Sequence, residues 1–204
     1  MKKIVIKTAL FTLAIVLGLS ALIYGGLVLF APSALAKLYD NLGNYGLSTH
    51  FYQKQYEKTQ SDQDLYTLCL ELNEYEDSAR TQKFLGELID EDSKAFNDFC
   101  QAKDKEFPSS LSTKEYCIGK YVCAVYLNEG CDKLVDKVGK LIQNNYTDKN
   151  GFYLLINDAR ISLSKAELSL ISTKISVMLP SLSIESASYA LRDINLITQK
   201  ITKS

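Results

Sequence analysis

The residues of this sequence whose types could do chemistry show no catalytic or metal-binding spacing. His50 is the single histidine, so a serine or cysteine hydrolase would have to use it as the base. The cysteines are odd in number and lack CxxC spacing, which argues against a metal site or disulfide framework and predicts small buried side chains: Cys69, Cys100, Cys117, Cys123 and Cys131. We predict no enzyme, cofactor or metal, and rank a His50 hydrolase last.

An acidic cluster and the overall charge exclude two further classes of ligand. Glu87, Asp90, Glu91 and Asp92 lack the glycine and the alternating oxygen ligands of a calcium loop, so we interpret them as solvated charges at a helix end. The net charge is −1, and the region after residue 36 is more acidic because the charges before it are all lysines. Nucleic-acid binding needs clustered Lys and Arg, so we expect no nucleic-acid partner.

Residues 8–30 form an uncharged apolar stretch of 23 residues that predicts a membrane-spanning helix. At about 1.5 Å per residue it is long enough to cross a hydrocarbon layer of about 30 Å. Lys2, Lys3 and Lys7 precede it, so the positive-inside rule predicts a cytoplasmic N-terminus and an extracytoplasmic C-terminal region. We therefore expect a single-pass cell-membrane protein that contacts lipid through residues 8–30.

The alternative is a secreted protein, cleaved after the small residues Ala34 and Ala36. The apolar stretch is longer than the usual signal-peptide core of about 7–15 residues. We therefore prefer an uncleaved anchor over residues 1–36.

Small residues recur on one stripe of this helix at spacings of four, three and four: Ala14, Gly18, Ala21 and Gly25. Such a stripe lets two membrane helices approach closely. It predicts a packing face, and with it a homodimer or a helix partner, although Gly and Ala are common in membrane helices in any case.

The rest of the chain has few prolines and glycines and no sustained strand alternation, so we predict an all-α region. The expected helices are 33–42, 44–59, 61–72, 75–89, 93–105, 112–128 and 131–145, with a break at residues 107–110. Ser112-x-x-Glu115 and Ser164-x-x-Glu167 are capping boxes, and Pro180 ends the helix that the second one opens. A final segment places five apolar residues on one face: Ala187, Leu191, Ile194, Ile197 and Ile201.

Three similar turns join successive helices. The first has Leu42, Gly43, Asn44 and Tyr45, followed by Ser48 and Phe51; the second has Leu72, Asn73 and Tyr75, followed by Ser78; the third has Leu127 and Gly130. Gly or Asn suits the left-handed conformation that such a turn needs. Over about residues 36–145 this pattern resembles the tetratricopeptide repeat, although the turns are 30 and 55 residues apart and the family period is about 34.

The resemblance implies stacked antiparallel helical hairpins, an α-solenoid over residues 37–150, with the helices of residues 151–204 packing on the same domain. It also implies a protein or peptide partner. Our leading hypothesis is a membrane-anchored interaction module or scaffold outside the cytoplasmic membrane. The alternative is an accessory subunit of a membrane complex, assembled through the transmembrane helix.

Overall fold

The chain is all-α. The computed structural model describes residues 2–89, 93–106, 112–147 and 152–203, with no side-chain description before residue 11. These residues contain no strand, and their helices are α1 (Lys2–Phe30), α2 (Pro32–Asn41), α3 (Tyr45–Thr59), α4 (Asp62–Glu74), α5 (Ser78–Leu88), α6 (Lys94–Glu106), α7 (Thr113–Asn144), α8 (Tyr153–Asn157), α9 (Lys165–Met178), a 3₁₀ turn (Leu179–Ser181) and α10 (Ile184–Lys203). The predicted helix content is therefore confirmed. The predicted break at residues 107–110 and the acids Asp90, Glu91 and Asp92 lie outside the described residues.

Contacts divide the chain into two compact units, Met1–Leu68 and Cys69–Ser204, with the division inside α4. The first contains the long apolar helix. Within it, Phe11–Phe30 has a mean hydropathy of 2.4, and among the described residues this is the one helix long and apolar enough to cross a membrane. Its large side chains face outward, for example Leu22 (74% exposed) and Phe11 (69% exposed).

Helices α2 and α3 form an antiparallel pair directly after α1. A single residue, Ala31, separates α1 from α2, and Pro32 occupies the first turn of α2, where its missing N–H is tolerated. Asn44 caps α3 by accepting a hydrogen bond from the Leu47 N–H. Both helices carry buried side chains: Leu35, Ala36, Ser48, Thr49, Phe51 and Tyr52.

The capping boxes begin helices where the sequence predicts them. Ser112 accepts from the Glu115 N–H and Glu115 bonds back to the Ser112 N–H, and Ser164 and Glu167 repeat the arrangement. Helix α7 is broken at Gly130, whose φ of 78° is not helical, so the predicted break there is also confirmed. Helix α9 ends just before Pro180, and Leu179–Ser181 forms a single 3₁₀ turn.

The core of the second unit combines α7, α8, α9 and α10. Its fully buried side chains include Ile118, Leu134, Ile142, Phe152, Leu155, Ile171, Ile175 and Ile197. One charged side chain lies among them: Asp193 has no exposed surface, accepts a 2.6 Å hydrogen bond from the Tyr146 hydroxyl and pairs with Arg192 at 2.9 Å. These partners compensate the cost of burying a carboxylate.

Four of the five residues predicted on the inner face of α10 are buried or half-buried, and Leu191 is the exception. Leu191 is 51% exposed, whereas Ala190 and Asp193 are completely buried. Ile197 is buried as predicted, and Ile194 and Ile201 lie at the edge of the core. Asp193, which a count of apolar residues assigns to the surface, lies on the inner face and accepts a hydrogen bond from the Tyr146 hydroxyl.

Candidate functional site

The turns that the sequence singles out have defined geometry. Gly43 and Gly130 have φ values of 69° and 78°, in the positive region that favours glycine. The expectation that Asn73 takes this conformation in the second turn is wrong, because Asn73 lies inside α4 and Glu76 has the positive φ of 58°. The predicted helix 75–89 consequently begins later, at Ser78, with Asp77 as its cap.

The first two turns use the same backbone hydrogen bonds, 33 residues apart. The Gly43 N–H bonds to the Asp40 carbonyl and the Asn44 N–H to the Tyr39 carbonyl. The Glu76 N–H bonds to the Asn73 carbonyl and the Asp77 N–H to the Leu72 carbonyl, which is the same Schellman pattern. In each case the next residue in the chain begins a capped helix.

The side chains after these turns follow the same 33-residue relation. The caps Asn44 and Asp77 are followed four residues later by buried hydroxyl residues, Ser48 and Thr81, and three residues after that by buried Phe51 and Phe84. The small residue of the second turn is therefore Thr81. Ser78, which the sequence comparison assigns to this place, is half-buried and its hydroxyl donates to the Asn128 side chain. Superimposing the two helix N-caps, Asn44 and Asp77, gives the 33-residue register in which Thr81 corresponds to Ser48.

Beside the second turn lies a cleft of about 280 Å³ within the second unit. Its wall combines residues from α4, the α4–α5 turn, α5, α7 and the segment before α9: Asn73, Glu76, Ser78, Thr81, Lys120, Cys123, Ala124, Leu127 and Arg160. Two of the predicted turn positions, Leu72 and Tyr75, are not part of the wall, whereas Leu127 is, and it is 47% exposed. The sequence gives no sign of Lys120 or Arg160, because they are distant in the chain.

The charges at the cleft are partly balanced. Arg160 contacts Asp158 at 2.7 Å, and Lys120 lies 4.0 Å from the same carboxylate. The hydrogen bond from Arg160 lowers the pKa of Asp158 to about 2, so this acid is ionised at neutral pH. The Asp158 hydrogen bond raises the pKa of Arg160, and the Glu76 charge adds to this. Two cations, Lys120 and Arg160, and the Glu76 carboxylate thus line the cleft, and Asp158 keeps the two cations in place.

The thiol in the wall of the cleft is not a nucleophile. Burial raises the pKa of Cys123 to about 12, so it is protonated at neutral pH. All five cysteines are free and buried, as predicted, and burial also raises the pKa of Cys69 and Cys100 to about 12. In the described part of the chain, no three His, Cys, Asp or Glu side chains are grouped as metal ligands.

Thr81 carries an unusual polar atom. The residue is 2% exposed, and its hydroxyl finds no hydrogen-bond partner among the described residues. Ser48, the equivalent residue 33 positions earlier, shares this property and is completely buried. A buried hydroxyl without a hydrogen-bond partner costs stability, so the Ser48 and Thr81 hydroxyls each lower the free energy of unfolding.

The stripe of small residues on α1 is largely exposed in the described part of the chain. Ala14, Gly18 and Ala21 are exposed and Gly25 is half-buried. A Cβ atom built on Gly18 or Gly25 would meet no atom within 4 Å. The stripe is therefore free to pack against another helix. His50, in contrast, is exposed on α3 with its ring edge against Phe51.

Comparisons with protein-family models, with curated proteins and with solved structures found no match.

Proposed function

We propose that this chain is a membrane-anchored helical module that binds a peptide segment of a partner protein outside the cytoplasmic membrane. The cleft beside the α4–α5 turn is the observation that carries this proposal. Its wall offers half-buried polar groups, Asn73 and Ser78, beside apolar Ala124 and Leu127. Such a mixture suits an extended peptide, whose backbone needs hydrogen bonds and whose side chains need apolar contacts.

An acidic side chain of such a segment would pair with Lys120 and Arg160, away from the Glu76 carboxylate that would repel it. Lys120 and Arg160 both line the cleft, and each keeps part of its side chain exposed, 22% and 32%. Their pairing with Asp158 limits their motion, which lowers the entropy lost on binding. The proposal is a binding function and not a reaction, since the thiol in the wall is protonated at neutral pH.

The tetratricopeptide-like arrangement is part of the same proposal. The 33-residue relation between the first two turns is close to the family period of about 34 residues, which supports it. The apolar α1 supports the membrane anchor, and the lysines before it support a cytoplasmic N-terminus.

The test places a photo-activatable amino acid at Leu127, on the rim of the cleft, in the full chain in intact cells. The matched control is Leu191, which is similarly exposed (51% against 47%) and does not line the cleft. We expect one specific protein to cross-link from position 127 and not from position 191. Equal cross-linking from both positions, or none from 127, would contradict the proposal.

A charge variant then tests the binding chemistry. Lys120→Gln should weaken binding of the captured partner about two- to fivefold, since a partly exposed ion pair contributes about 0.5–1 kcal/mol. Lys165→Gln, at an exposed position on α9, should leave binding unchanged. Equal effects of the two variants would show that overall charge, and not the cleft, attracts the partner.

The second candidate function is a subunit of a membrane complex, assembled through α1, and the open space at Gly18 and Gly25 favours it. Leu at both positions would fill the stripe and should release the chain from the complex. Retention of the complex would remove the support for this candidate. A homodimer through the same stripe would be lost in the same variant, as a shift from dimer to monomer in detergent.

A further inference from the structure

Contacts within the first unit hold the α2–α3 hairpin, residues 32–59, against the end of α1. The Tyr24 ring lies 6.5 Å from the Phe51 ring, and its hydroxyl lies 3.4 Å from that of Tyr39. The Lys58 ammonium donates to the last two carbonyls of α1 at 3.3 and 3.0 Å. Helix α3 therefore runs beside the last turns of α1 in the same direction, and the α2–α3 turn lies level with the middle part of α1. We call this arrangement the docked hairpin.

These contacts set the level of the α2–α3 turn along α1. Tyr45, the first residue of α3, is six residues before Phe51, so it lies about 9 Å farther from the end of α1 at about 1.5 Å per residue. A hydrocarbon layer of about 30 Å corresponds to about 20 residues of helix, so a span that starts after Lys7 ends near Leu27. Tyr24, which is level with Phe51, lies about 4.5 Å inside that end. The docked turn would therefore lie about 13 Å inside the hydrocarbon layer, close to its middle.

The hairpin is too polar for this position. Lys37 is exposed on α2, Asp40 is half-buried beside the turn, and the side chains of Asn41 and Asn44 are exposed in the turn. Charged side chains are costly in the hydrocarbon layer, and irregular backbone that faces lipid does not occur there because its polar groups lack hydrogen-bond partners. The docked hairpin and a membrane-spanning α1 therefore exclude each other in one bilayer.

A shifted span does not remove this conflict. To leave the docked turn outside, the hydrocarbon layer would have to end near Gly18, which is level with the start of α3. Lys7 would then lie about 16 Å from the outer edge, near the centre of a layer of about 30 Å. Lysine side chains reach water from positions near the end of a span, and not from its centre. Separation of the hairpin from α1 is thus the arrangement that keeps the charges of both in water.

The connection between α1 and α2 provides a hinge for this separation. Ala31 is the single residue between the two helices, and its φ and ψ of −139° and 58° are not helical. Pro32 follows and lacks the N–H that would continue the hydrogen bonds of α1. The Lys58 contact lies at this end of α1, so rotation about Ala31 displaces the end of α3 least and the α2–α3 turn most. The surface that α1 gives up, at residues 25–28, is apolar and half-buried, so lipid covers it without cost.

We propose that the hairpin lies on α1 while α1 is outside a bilayer and swings away about Ala31 when α1 crosses one. This inference rests on the proposed membrane anchor. The bilayer drives the change, because lipid replaces the hairpin on the apolar surface of α1 while the charges of the hairpin reach water. The Phe51 ring, which is 3% exposed in the docked hairpin, then loses its contact with Tyr24. The hairpin thus presents this face only in chains that have inserted.

A photo-activatable phenylalanine derivative in place of Tyr24 reports this contact. The full chain is synthesised in a cell-free system, with or without phosphatidylcholine vesicles, and cross-links within one chain are located by mass spectrometry. Resistance to alkaline extraction separates inserted chains from unbound ones. The matched control carries the same derivative in place of Tyr121, whose ring packs on α5, 3.4 Å from a Cβ atom built on Gly86.

Without vesicles, we expect position 24 to cross-link to α3 near Phe51. Inserted chains should lose this cross-link by at least about fivefold, because the docked population falls. Position 121 should cross-link to α5 equally in both samples. An unchanged yield from position 24 in inserted chains would overturn the inference and leave the anchor intact, and so would equal losses at the two positions, because the whole chain would then have rearranged. No cross-link from position 24 in either sample would overturn the docked arrangement and the inference with it. Failure of α1 to resist extraction would overturn the anchor itself.

Discussion

Replacing Thr81 by Val should stabilise the protein. Val has nearly the same shape as Thr and lacks the hydroxyl, which is buried and without a partner among the described residues. Thr and Val have similar helix propensities, so the substitution changes the intrinsic stability of α5 very little. Thr81 is 2% exposed, so solvent contributes little to the difference.

The expected gain follows from the cost of the buried hydroxyl. An unsatisfied buried polar group costs about 1–3 kcal/mol, and the valine methyl group makes the same packing contacts without that cost. For a chain of this size, each kcal/mol raises the midpoint of thermal unfolding by about 2–4 °C. Ser48→Ala is a less clear test, because alanine also favours the helix directly.

Thr49→Val is the matched control. Thr49 is 4% exposed, and its hydroxyl donates to the carbonyls of Tyr45 and Gly46 at 3.0 and 3.3 Å. The same substitution there removes hydrogen bonds and should lower the free energy of unfolding by up to about 1 kcal/mol. Both variants are measured in the full chain in detergent, by circular dichroism during heating and by hydrogen exchange of the amides in the substituted helix. Equal destabilisation by the two substitutions would refute the reasoning, because the Thr81 hydroxyl would then have a partner in the native protein.

Three further predictions concern the turns, the ion pairs and the thiols. Gly130→Ala should destabilise the protein by about 1–3 kcal/mol in denaturant titrations, because its φ of 78° strains an L residue, whereas Gly86→Ala inside α5 should be neutral or stabilising. Asp158 has a folded-state pKa of about 2 against an ordinary 3.8, so its pairing with Arg160 stabilises the folded protein above about pH 4. This contribution is lost as the pH falls toward 2. In Asp158→Asn, the free energy of unfolding should therefore change less with pH between about 4 and 2. Cys123 and the other buried thiols should react with a charged thiol reagent only after denaturation, and fast reaction of the native chain would contradict their burial.

The features that the sequence predicts correctly depend on residues close together in the chain. A capping box is formed by two side chains and two backbone groups within four residues, so Ser112 and Ser164 can be assigned as helix starts without knowledge of the tertiary structure. The same holds for Gly43 and Gly130, because glycine adopts positive φ without the steric cost that a Cβ atom adds. The long apolar run of α1 is also a local property.

The features that the sequence misses depend on distant partners. Asp193 is buried because Tyr146, 47 residues away, donates to it, and no periodicity of apolar residues can show that contact. Arg160 and Lys120 become neighbours of the α4–α5 turn only when α7 and the segment before α9 pack against it. The cleft could therefore not be predicted, although its rim residue Leu127 could.

Glu76 shows how a backbone pattern can override residue preference. Glutamate rarely adopts positive φ, and Asn73 nearby is better suited to it. The register is instead fixed by the start of the next helix, because Asp77 must stand outside α5 to accept from the Arg80 N–H. The preceding residue then takes the left-handed conformation that closes the Schellman hydrogen bonds, whatever its type. Positions that agree between the two turns at the 33-residue offset are thus set by the local fold, and positions that differ, such as Leu42 against Tyr75, carry the information about what each turn faces.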